Sequence, residues 1–344
     1  MRRSALAIVI AAVVAAASAT PSFAKDKLTI AMSTVGFAYL PALVANAINA
    51  YDDEDIAANI VITGGATKAL AALIGNGAEV YFGDSPAVIR SRENGVDALI
   101  IGSCVSQYAT NLVMSGKWAK AHNITAASTI EEKLKALKGA TLGVTTPGSG
   151  TDLIARFFAK KAGLDPDRDM TLSSLGGTSI LPAFAQGRID GFAISAPPAE
   201  LAVANYGAVM VFNLAKGEIK DLDGFLYTAI AVRQNWVEKN HAVAIRLLRA
   251  VEKALDAIHD PAKSNAARDA VWKKYWSAVD KKLFDEMWEN WKGAFPKTVE
   301  IPTSGLKQVM DFTNALTHER LTPEAVDAAY TNKYAIEAVA SFKK

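Results

Sequence analysis

The sequence predicts an α/β fold in which short apolar strands alternate with amphipathic helices. Residues 138–152 read as a strand, a loop of Thr, Pro, Gly and Ser residues, and the first turn of a helix. The same order of strand, small polar loop and helix recurs between residues 27 and 212. Strands that alternate with helices form βαβ units and therefore parallel sheets. With 344 residues, of which 51% are hydrophobic, the chain is long enough for two lobes with separate cores.

The elements follow one another in a regular order. The predicted strands cover residues 27–32, 60–62, 80–82, 98–101, 140–144, 170–175, 189–194, 209–212 and 224–232, and the apolar pattern allows the fourth to continue through 108–114. Helices are predicted at 39–50, 67–74, 86–94, 152–162, 180–186 and 198–206, and then at 236–259, 262–277, 279–292, 304–317 and 323–341. Pro41 and Pro86 lie in first helical turns, where proline is tolerated.

The first 24 residues have the pattern of a secretory signal peptide. Arg2 and Arg3 precede an apolar run over residues 5–17, and residues 22–24 fit a small-x-small cleavage site before Lys25. The run is too short to span a membrane. We therefore expect cleavage after Ala24 and a soluble mature protein in a bacterial periplasm.

Charge and cysteine content narrow the class of partner. Loss of Arg2 and Arg3 with the signal peptide leaves 35 of the 37 basic residues, against 35 acidic ones. This balance argues against a nucleic-acid partner, which normally requires a basic bias. Cys104, the sole cysteine, lies in an apolar run and is expected to be a buried small hydrophobe. Since residue 25 is lysine, the mature N-terminus offers no cysteine for a lipid anchor.

Six small polar loops follow predicted strands and lead into helices, at 33–37, 63–66, 83–86, 145–151, 176–179 and 195–198. In parallel sheets such loops share the carboxyl edge, the usual place for a ligand. Two facing sheets would line a cleft with backbone N–H groups and hydroxyls. At 145–151 the N-terminus of the following helix is able to hold a small anion without a charged side chain. The alternative is that Ser149 or Thr151 is a plain N-cap.

Signatures of catalysis and metal binding are missing. The four histidines, at positions 122, 241, 259 and 318, do not pair at metal-ligand spacing. The sequence has no Gly-x-Ser-x-Gly, His-Glu-x-x-His or P-loop motif. Asp84, Asp152 and Asp190 fit helix caps or turn residues better than acid–base catalysts. We expect a protein that is not an enzyme and has no metal or cofactor.

Five segments between residues 137 and 198 form a recognisable series of motifs: Leu137-Lys-Gly-Ala-Thr-Leu-Gly-Val144, Gly148-Ser-Gly-Thr151, Gly163-Leu-Asp-Pro166, Ala183-Phe-Ala-Gln-Gly-Arg-Ile-Asp190 and Ala196-Pro-Pro198. They resemble the second lobe of substrate-binding proteins of ABC importers, of the nitrate/sulfonate/taurine type. The pair Gly83-Asp-Ser-Pro86 and Asn94-Gly95 resembles the first lobe, and the similarity covers residues 27–255. One departure is Gly77-Ala-Glu-Val80, where members usually carry Gly-x-x-Asp.

The resemblance implies a type II periplasmic-binding-protein fold, with two α/β lobes of parallel-rich sheets that close over a solute about hinge strands. Residues 25–110 and 225–344 would form the first lobe and residues 111–224 the second. The implied function is capture of a small sulfonate- or carboxylate-like anion and its delivery to an ABC permease by a monomeric protein. Sulfonate, taurine, nitrate, bicarbonate, aromatic carboxylate and thiamine precursors all remain open as solutes.

The candidate ligand-binding residues come from the small polar loops and the hinge. They are Thr34, Phe37, Tyr39, Gly65, Asp84 and Ser85 from the first lobe, Gln107 and Tyr108 from the hinge, and Thr146, Ser149, Thr151, Thr178 and Ser195 from the second lobe. Phe37 or Tyr39 would stack on the body of a ligand or else belong to the core. Because the loops contain no Arg or Lys, an anion would rely on helix dipoles and N–H groups, leaving Asp84 to meet an amine.

Two other functions fit the same scaffold. One is an enzyme similar to a thiamine-pyrimidine synthase or to a menaquinone-pathway dehydratase. The single cysteine and the signal peptide argue against both, since the synthase carries a Cys-rich iron-binding segment. The other is a solute-binding component of a sensor system, which the sequence does not separate from a transport protein.

Overall fold

Two five-stranded mixed sheets form the centre of the computed structural model, which describes residues 24–125, 127–317 and 320–342. The predicted signal peptide lies outside the described residues, apart from Ala24. The strands are β1 (Asp26–Met32), β2 (Ile56–Ile62), β3 (Val80–Asp84), β4 (Leu99–Val105), β5 (Asn111–Met114), β6 (Thr141–Val144), β7 (Thr171–Ser174), β8 (Gly191–Ile194), β9 (Val209–Phe212) and β10 (Thr228–Val232).

Helices cover the sheets and build most of the C-terminal part. They are α1 (Leu40–Ala47), α2 (Ala50–Asp53), α3 (Ala66–Ile74), α4 (Ser85–Glu93), α5 (Gly116–Ala121), α6 (Ile130–Lys135), α7 (Gly150–Lys161), α8 (Gly177–Ala185), α9 (Pro198–Tyr206), α10 (Gln234–Lys239), α11 (His241–His259), α12 (Pro261–Tyr275), α13 (Lys281–Trp291), α14 (Thr303–Leu316), α15 (Pro323–Ala328) and α16 (Lys333–Phe342). Within the described ranges, no helix is both long and apolar enough to cross a membrane.

The two sheets repeat one topology. Their strand orders are β2-β1-β3-β10-β4 and β7-β6-β8-β5-β9. In the first sheet β1 runs parallel to β2 and β3, and β10 runs antiparallel to β3 and β4. In the second, β6 is parallel to β7 and β8, and β5 is antiparallel to β8 and β9. The predicted α/β class with parallel-rich sheets and crossing strands is confirmed.

The chain crosses between the sheets twice, at residues 106–110 and 213–227. The possible continuation of the fourth strand to residue 114 is wrong, because β4 ends in the first sheet and β5 begins in the second. The strand predicted at 224–232 is shorter than expected. Gly224 has a φ of +75°, a left-handed conformation that interrupts an extended chain, and pairing starts only at Thr228.

An acidic residue directly precedes β3 in the first sheet and β8 in the second, and each binds the neighbouring strand. Asp190 accepts a hydrogen bond from the backbone N–H of Thr141 at 2.9 Å, and Glu79 accepts one from the N–H of Thr29 at 2.7 Å. The backbone N–H groups of both acids bond back to the same two residues. The departure from Gly-x-x-Asp therefore preserves the interaction with a side chain one methylene longer.

The C-terminal helices pack on the first-sheet side, where α11 contacts α1 and α16. The single helix predicted at 323–341 is divided into α15 and α16. Between them the backbone pairs with edge strand β4, since Ile100 N–H donates to Ala329 O and Thr331 N–H donates to Ile100 O, both at 2.9 Å. This pairing protects one exposed strand edge. Cys104 is fully buried and unpaired, as predicted.

Candidate functional site

A cavity of about 20 Å³ lies between loops that follow strands of both sheets. We call the space between these loops the cleft. Its walls come from the carboxyl ends of β1, β3, β6 and β8, the starts of α3 and α7, and the segment before β10. The lining residues are Ser33, Thr34, Ala38, Tyr39, Ala66, Asp84, Thr145, Gly150, Thr151, Ile194, Ser195 and Tyr227. The expected meeting of strand ends at a shared cleft is therefore present.

Hydroxyl groups dominate the polar lining of the cavity, in the side chains of Ser33, Thr34, Tyr39, Thr145, Thr151, Ser195 and Tyr227. Asp84 supplies the single charged side chain among the described lining residues, and none of these is Lys, Arg or His. The cavity is therefore suited to a small polar group that exchanges several hydrogen bonds. The described residues contain no cluster of His, Cys, Asp or Glu side chains able to hold a metal ion.

The loop before α7 is held by its own hydroxyl groups. Thr145 N–H donates to Thr151 Oγ1 at 2.9 Å, and the hydroxyls of Thr145, Ser149 and Thr151 lie 2.9 Å from one another. Ser149 also donates to the carbonyl of Thr146 at 2.7 Å. Ser149 occupies the N-cap position of α7, as the alternative predicted, but its side chain makes no capping hydrogen bond to the backbone of that helix. The network instead orients the first turn of the helix.

Asp84 reaches across the cleft to this helix. It ends β3, is only 4% exposed, and its Oδ2 accepts a hydrogen bond from the backbone N–H of Gly150 at 2.7 Å. Burial raises the pKa of the Asp84 carboxyl, whereas the Gly150 N–H and the charge of Arg90 act to lower this pKa. A carboxylate from the first-sheet side thus binds the positive end of a helix on the second-sheet side.

Two tyrosines pack beside Gly150: Tyr227 lines the cavity, and Tyr108 lies behind the lining. Tyr108 donates to the carbonyl of Gly150 at 2.6 Å, and Thr110 donates to the hydroxyl of Tyr227 at 2.8 Å. The rings of the two tyrosines lie 4.6 Å apart. A Cβ atom at Gly150 would lie 2.7 Å from Cε2 and Oη of Tyr227, so the close approach requires glycine.

Further contacts join the two sides around the cavity. Gly177 N–H donates to Gly64 O at 3.3 Å, and Phe37 N–H donates to Ala196 O at 2.9 Å. Arg90 Nη2 donates to the carbonyl of Gly148 at 3.1 Å. The two sides are therefore in contact, and the structure is a closed arrangement.

Five predicted ligand-binding residues line the cavity: Thr34, Tyr39, Asp84, Thr151 and Ser195. Burial raises the pKa of the Tyr39 hydroxyl, so this group stays protonated at neutral pH and is able to donate a hydrogen bond.

Four other candidates lie next to the cavity wall. Ser149 and Tyr108 bond to lining residues from behind. Gly65 and Thr146 face each other across the cleft, since a Cβ atom at Gly65 would lie 2.5 Å from Thr146 Cγ2. The ligand-binding role of all nine residues stays a prediction.

The remaining four candidates lie away from the cavity lining. Phe37 is fully buried, with its ring 5.4–5.6 Å from Trp276, Phe284 and Trp291, and this packing favours the core alternative. Ser85 is buried and donates to the carbonyl of Leu226. The ligand-binding roles of Phe37, Ser85, Gln107 and Thr178 stay predictions.

Gln107 bridges the two crossings, because its Nε2 donates to Leu214 O at 3.2 Å and its Oε1 accepts from Gly224 N–H at 3.4 Å. Thr178 is exposed on α8. Several lining residues were not among the candidates: Ser33, Ala38, Ala66, Thr145, Gly150, Ile194 and Tyr227. Four of these, Ser33, Ala66, Thr145 and Gly150, lie in the six predicted loops, so their position in a loop was the signal that could have identified them.

A family model accounts for most of this architecture. Residues 24–272 match the model of the NMT1-like family. The chain belongs to the NMT1-like family. This membership confirms the resemblance to nitrate- and sulfonate-type binding proteins, and it supports a binding role in place of a catalytic one.

Named relatives of this NMT1-like protein include transport components. It is 27% identical over 169 residues to the nitrate import ATP-binding protein NrtC of Synechocystis, covering 47% of this chain and 24% of the relative. It is 29% identical over 123 residues to the nitrate/nitrite binding protein NrtA of Nostoc, covering 35% of this chain and 26% of the relative. The chain thus spans about a quarter of each. The binding protein YtlA of Bacillus subtilis, whose assignment is provisional, is 22% identical over 80% of this chain and 84% of the relative.

Solved structures share the fold of this NMT1-like protein. A Bordetella bronchiseptica structure superimposes with a TM-score of 0.79 at 21% identity, over 93% of this chain and 99% of the other. The periplasmic nitrate-binding protein NrtA of Synechocystis superimposes with a TM-score of 0.70 at 14% identity, over 94% of this chain and 90% of NrtA. The alkanesulfonate-binding protein SsuA of Xanthomonas axonopodis, bound to MOPS, superimposes with a TM-score of 0.65 at 16% identity, over 92% of this chain and 98% of SsuA. These likenesses confirm the periplasmic-binding-protein fold.

Proposed function

We propose that this NMT1-like protein is an extracytoplasmic solute-binding protein that encloses a small solute between two lobes and delivers it to an ABC permease. The first lobe comprises residues 25–110 and 225–344, and the second comprises residues 111–224. The crossings at 106–110 and 213–227 support this division, because they are the covalent links between the sheets. Such links allow hinge closure of two rigid bodies. The protein acts as a monomer.

The solute presents a sulfonate or carboxylate to the N-terminus of α7. One observation carries this proposal: a carboxylate, that of Asp84, already accepts the Gly150 N–H at 2.7 Å. The position therefore has the geometry of an anion site at a helix N-terminus, where the helix dipole and the free N–H groups favour negative charge. In the loaded form the acidic group of the solute takes the place of Asp84 at this N–H.

Entry of the solute requires the lobes to separate. A cavity of about 20 Å³ holds little more than one water molecule or a small ion. The contacts between Gly177 and Gly64 and between Thr67 and Thr146, whose hydroxyl oxygens are 3.3 Å apart, cross the cleft beside the cavity. Opening these contacts and closing them over a solute is the motion we propose.

Export and transport are supported by the N-terminal pattern and by the relatives. Residues 1–24 have the order of a cleavable signal peptide. NrtA of Synechocystis is described as periplasmic. NrtC of Synechocystis is named for nitrate import, and NrtA of Nostoc is named for nitrate/nitrite binding. Because this chain spans about a quarter of the last two, their solutes are not transferred to it.

Five measurements test the proposal: the N-terminus of the exported chain, binding, compaction, the mass of the released solute, and uptake in the absence of the chain. The periplasmic fraction of the host should contain a chain that begins at Lys25. Titration calorimetry with small sulfonates and carboxylates should give one-site binding, and small-angle scattering of an opened sample should show compaction when the solute is added. Mass spectrometry of the released solute should return its original mass. A changed mass would favour the enzyme alternative, and uptake that persists without this chain would contradict a transport role.

A further inference from the structure

A second carboxyl group joins the two sides of the molecule away from the cavity. Glu200 lies in the first turn of α9, which follows β8 of the second sheet. Its Oε1 accepts hydrogen bonds from Asn111 Nδ2 at 2.9 Å and from Trp291 Nε1 at 3.1 Å. Asn111 begins β5 of the same sheet, whereas Trp291 ends α13. Glu200 is therefore bonded both to its own sheet and to a C-terminal helix.

Trp291 packs on the first-sheet side of the cleft. Its ring lies 5.6 Å from the ring of Phe37, which follows β1. Phe37 also donates its backbone N–H to Ala196 O at 2.9 Å. Residues 196–200 thus make two hydrogen bonds to the first-sheet side, one through the backbone and one through the Glu200 side chain. In the proposed division into lobes, both bonds cross between the lobes and belong to the closed arrangement.

The elements packed against α9 offer no countercharge to an ionised Glu200. These elements are α8, β5, β8 and β9, and none of the four contains a titratable side chain. The titratable groups on the adjoining segments are Tyr206 at the end of α9, Lys216 in the second crossing, and Glu289 and Lys292 on either side of Trp291. Tyr206 and Lys216 are exposed, and Glu289 pairs with Lys292 at 2.9 Å. Within the described part of the chain, no ion pair joins any of them to Glu200.

The hydrogen bonds of Glu200 leave half of its carboxyl group without support. The residue as a whole keeps some exposure, but Oε2 is buried and has no hydrogen-bond partner among the described residues. A buried carboxylate needs a countercharge or several donors to offset the loss of water. In the closed arrangement an ionised Glu200 has neutral donors only, and these bind one of its two oxygens.

Burial outweighs the effect of these donors on the pKa of Glu200. It raises the pKa from 4.5 to about 7, while the hydrogen bonds from Trp291, from Asn111 and from the residue's own backbone act to lower this pKa. When the lobes separate, water reaches the carboxyl group and the ordinary pKa of 4.5 returns. Closing therefore takes up a proton between these two values. The resulting preference for the closed form is complete below pH 4.5 and is lost as pH rises through 7.

Building on the proposed lobe closure, we infer that Glu200 is a positioning residue that holds the lobes together through Trp291 only while its carboxyl group carries a proton. An acidic medium therefore strengthens solute capture, and loss of the proton favours opening and release. Glu200 does not line the cavity, so this effect acts on closure and not on contacts with the solute.

Small-angle scattering of the solute-free protein tests the effect on closure without any ligand. The wild-type protein should be more compact at pH 5.5 than at pH 7.5. Glu200→Gln keeps the shape of the side chain and an oxygen acceptor for Trp291 but does not ionise, so it should be compact at both pH values. Glu289→Gln is the matched control, because it removes an exposed acid from α13 and should leave the wild-type pH dependence unchanged.

Titration calorimetry measures the same effect on binding. The probes are 2-hydroxyethanesulfonate, 2-aminoethanesulfonate and benzoate, whose charges stay nearly constant between pH 5.5 and pH 7.5. With pKa values of 4.5 in the open form and about 7 in the closed form, the affinity should fall about twentyfold over this range. Titrations at pH 6 in buffers of different ionisation enthalpy should show uptake of about 0.9 proton per bound solute. Both effects should be absent in Glu200→Gln.

The outcomes separate this inference from the proposed function. A wild-type affinity that changes by less than about threefold between the two pH values, or binding without proton uptake, would overturn the role of Glu200 and leave the proposed function standing. A folded Glu200→Gln that keeps the wild-type pH dependence would overturn it as well. If none of the three probes binds, the anionic solute of the proposed function is contradicted, and equal dimensions of the solute-free protein at both pH values would also contradict this inference. The wild-type measurements do not depend on folding of either variant.

Discussion

Replacement of Gly150 by alanine tests whether the cleft must close directly on the first residue of α7. A Cβ atom there would lie 2.7 Å from two atoms of Tyr227, whereas carbon atoms in contact stay about 3.5–4.0 Å apart. Tyr227 has little freedom to swing aside, because it is 5% exposed, accepts a hydrogen bond from Thr110 and packs on Tyr108. The two walls must therefore separate by about 1 Å.

A separation of this size breaks the two hydrogen bonds that join the backbone of Gly150 to Asp84 and Tyr108. The bond from its N–H is made to a charged acceptor, Asp84 or the acidic group of a solute, and is worth about 1.5–3 kcal/mol. The bond from Tyr108 to its carbonyl is neutral and is worth about 1 kcal/mol. The closed form should lose about 2.5–4 kcal/mol, and the affinity for a solute should fall about 60- to 700-fold.

Titration calorimetry with the small sulfonate or carboxylate that binds most tightly measures this loss of affinity. Small-angle scattering of the same samples shows whether compaction is incomplete. Gly293→Ala is the matched control, since a Cβ atom at Gly293 has no heavy atom within 4 Å among the atoms that the structure describes. An unchanged affinity, within about threefold of the wild-type value, would refute the direct closure of Tyr227 on α7.

Three further substitutions test the fold. Phe37→Ala should lower the free energy of unfolding in urea by about 3–5 kcal/mol, because it empties an aromatic core; a loss below about 1 kcal/mol would contradict the core role. Glu79→Ala removes the acceptor of Thr29 N–H and should cost about 1–3 kcal/mol, and an unchanged urea midpoint would argue against this contact. Burial raises the pKa of Glu200 from 4.5 to about 7. The folded protein thus holds this proton more tightly than the unfolded chain does, so the free energy of unfolding should fall by about 3 kcal/mol as pH rises from 4.5 to 7. Glu200→Gln should abolish this fall, and a variant with the wild-type pH profile would assign the effect to another group.

The local pattern of the sequence carries most of the α/β architecture. The order of strand, loop and helix depends on the pattern of neighbouring residues, so the six loops were predictable from the sequence. Their convergence on one cleft was also predictable, because the loops that follow parallel strands lie at the same edge of a sheet. The helix α6 also had a local signal that the prediction did not use. Thr129 and Glu132 form a capping box, the Thr-x-x-Glu spacing that marks a helix start.

Features that depend on distant partners were not predictable in this way. The break between α15 and α16 arises because residues 329–331 pair with Ile100, far away in the sequence. Tyr227 entered the prediction as part of a strand, and its place in the cavity depends on a crossing that brings it against Gly150. The core position of Phe37 depends on three aromatic residues of the C-terminal helices. Periodicity within one segment contains none of these contacts.

The contacts of Gly150 also limit where binding energy is available. Its carbonyl is bound by Tyr108 and its N–H by Asp84 in the closed arrangement. An acidic group that binds this N–H therefore exchanges one carboxylate for another and gains little on its own, since the hydrogen bond that it makes replaces one of the same kind. Net affinity must come from groups whose interactions are new in the complex. The released Asp84 carboxylate is the strongest of these in the described lining, because a charged group makes the strongest hydrogen bonds there. A solute that binds the Gly150 N–H but makes no contact with Asp84 would leave the closed cleft with no more hydrogen bonds than it has without a solute.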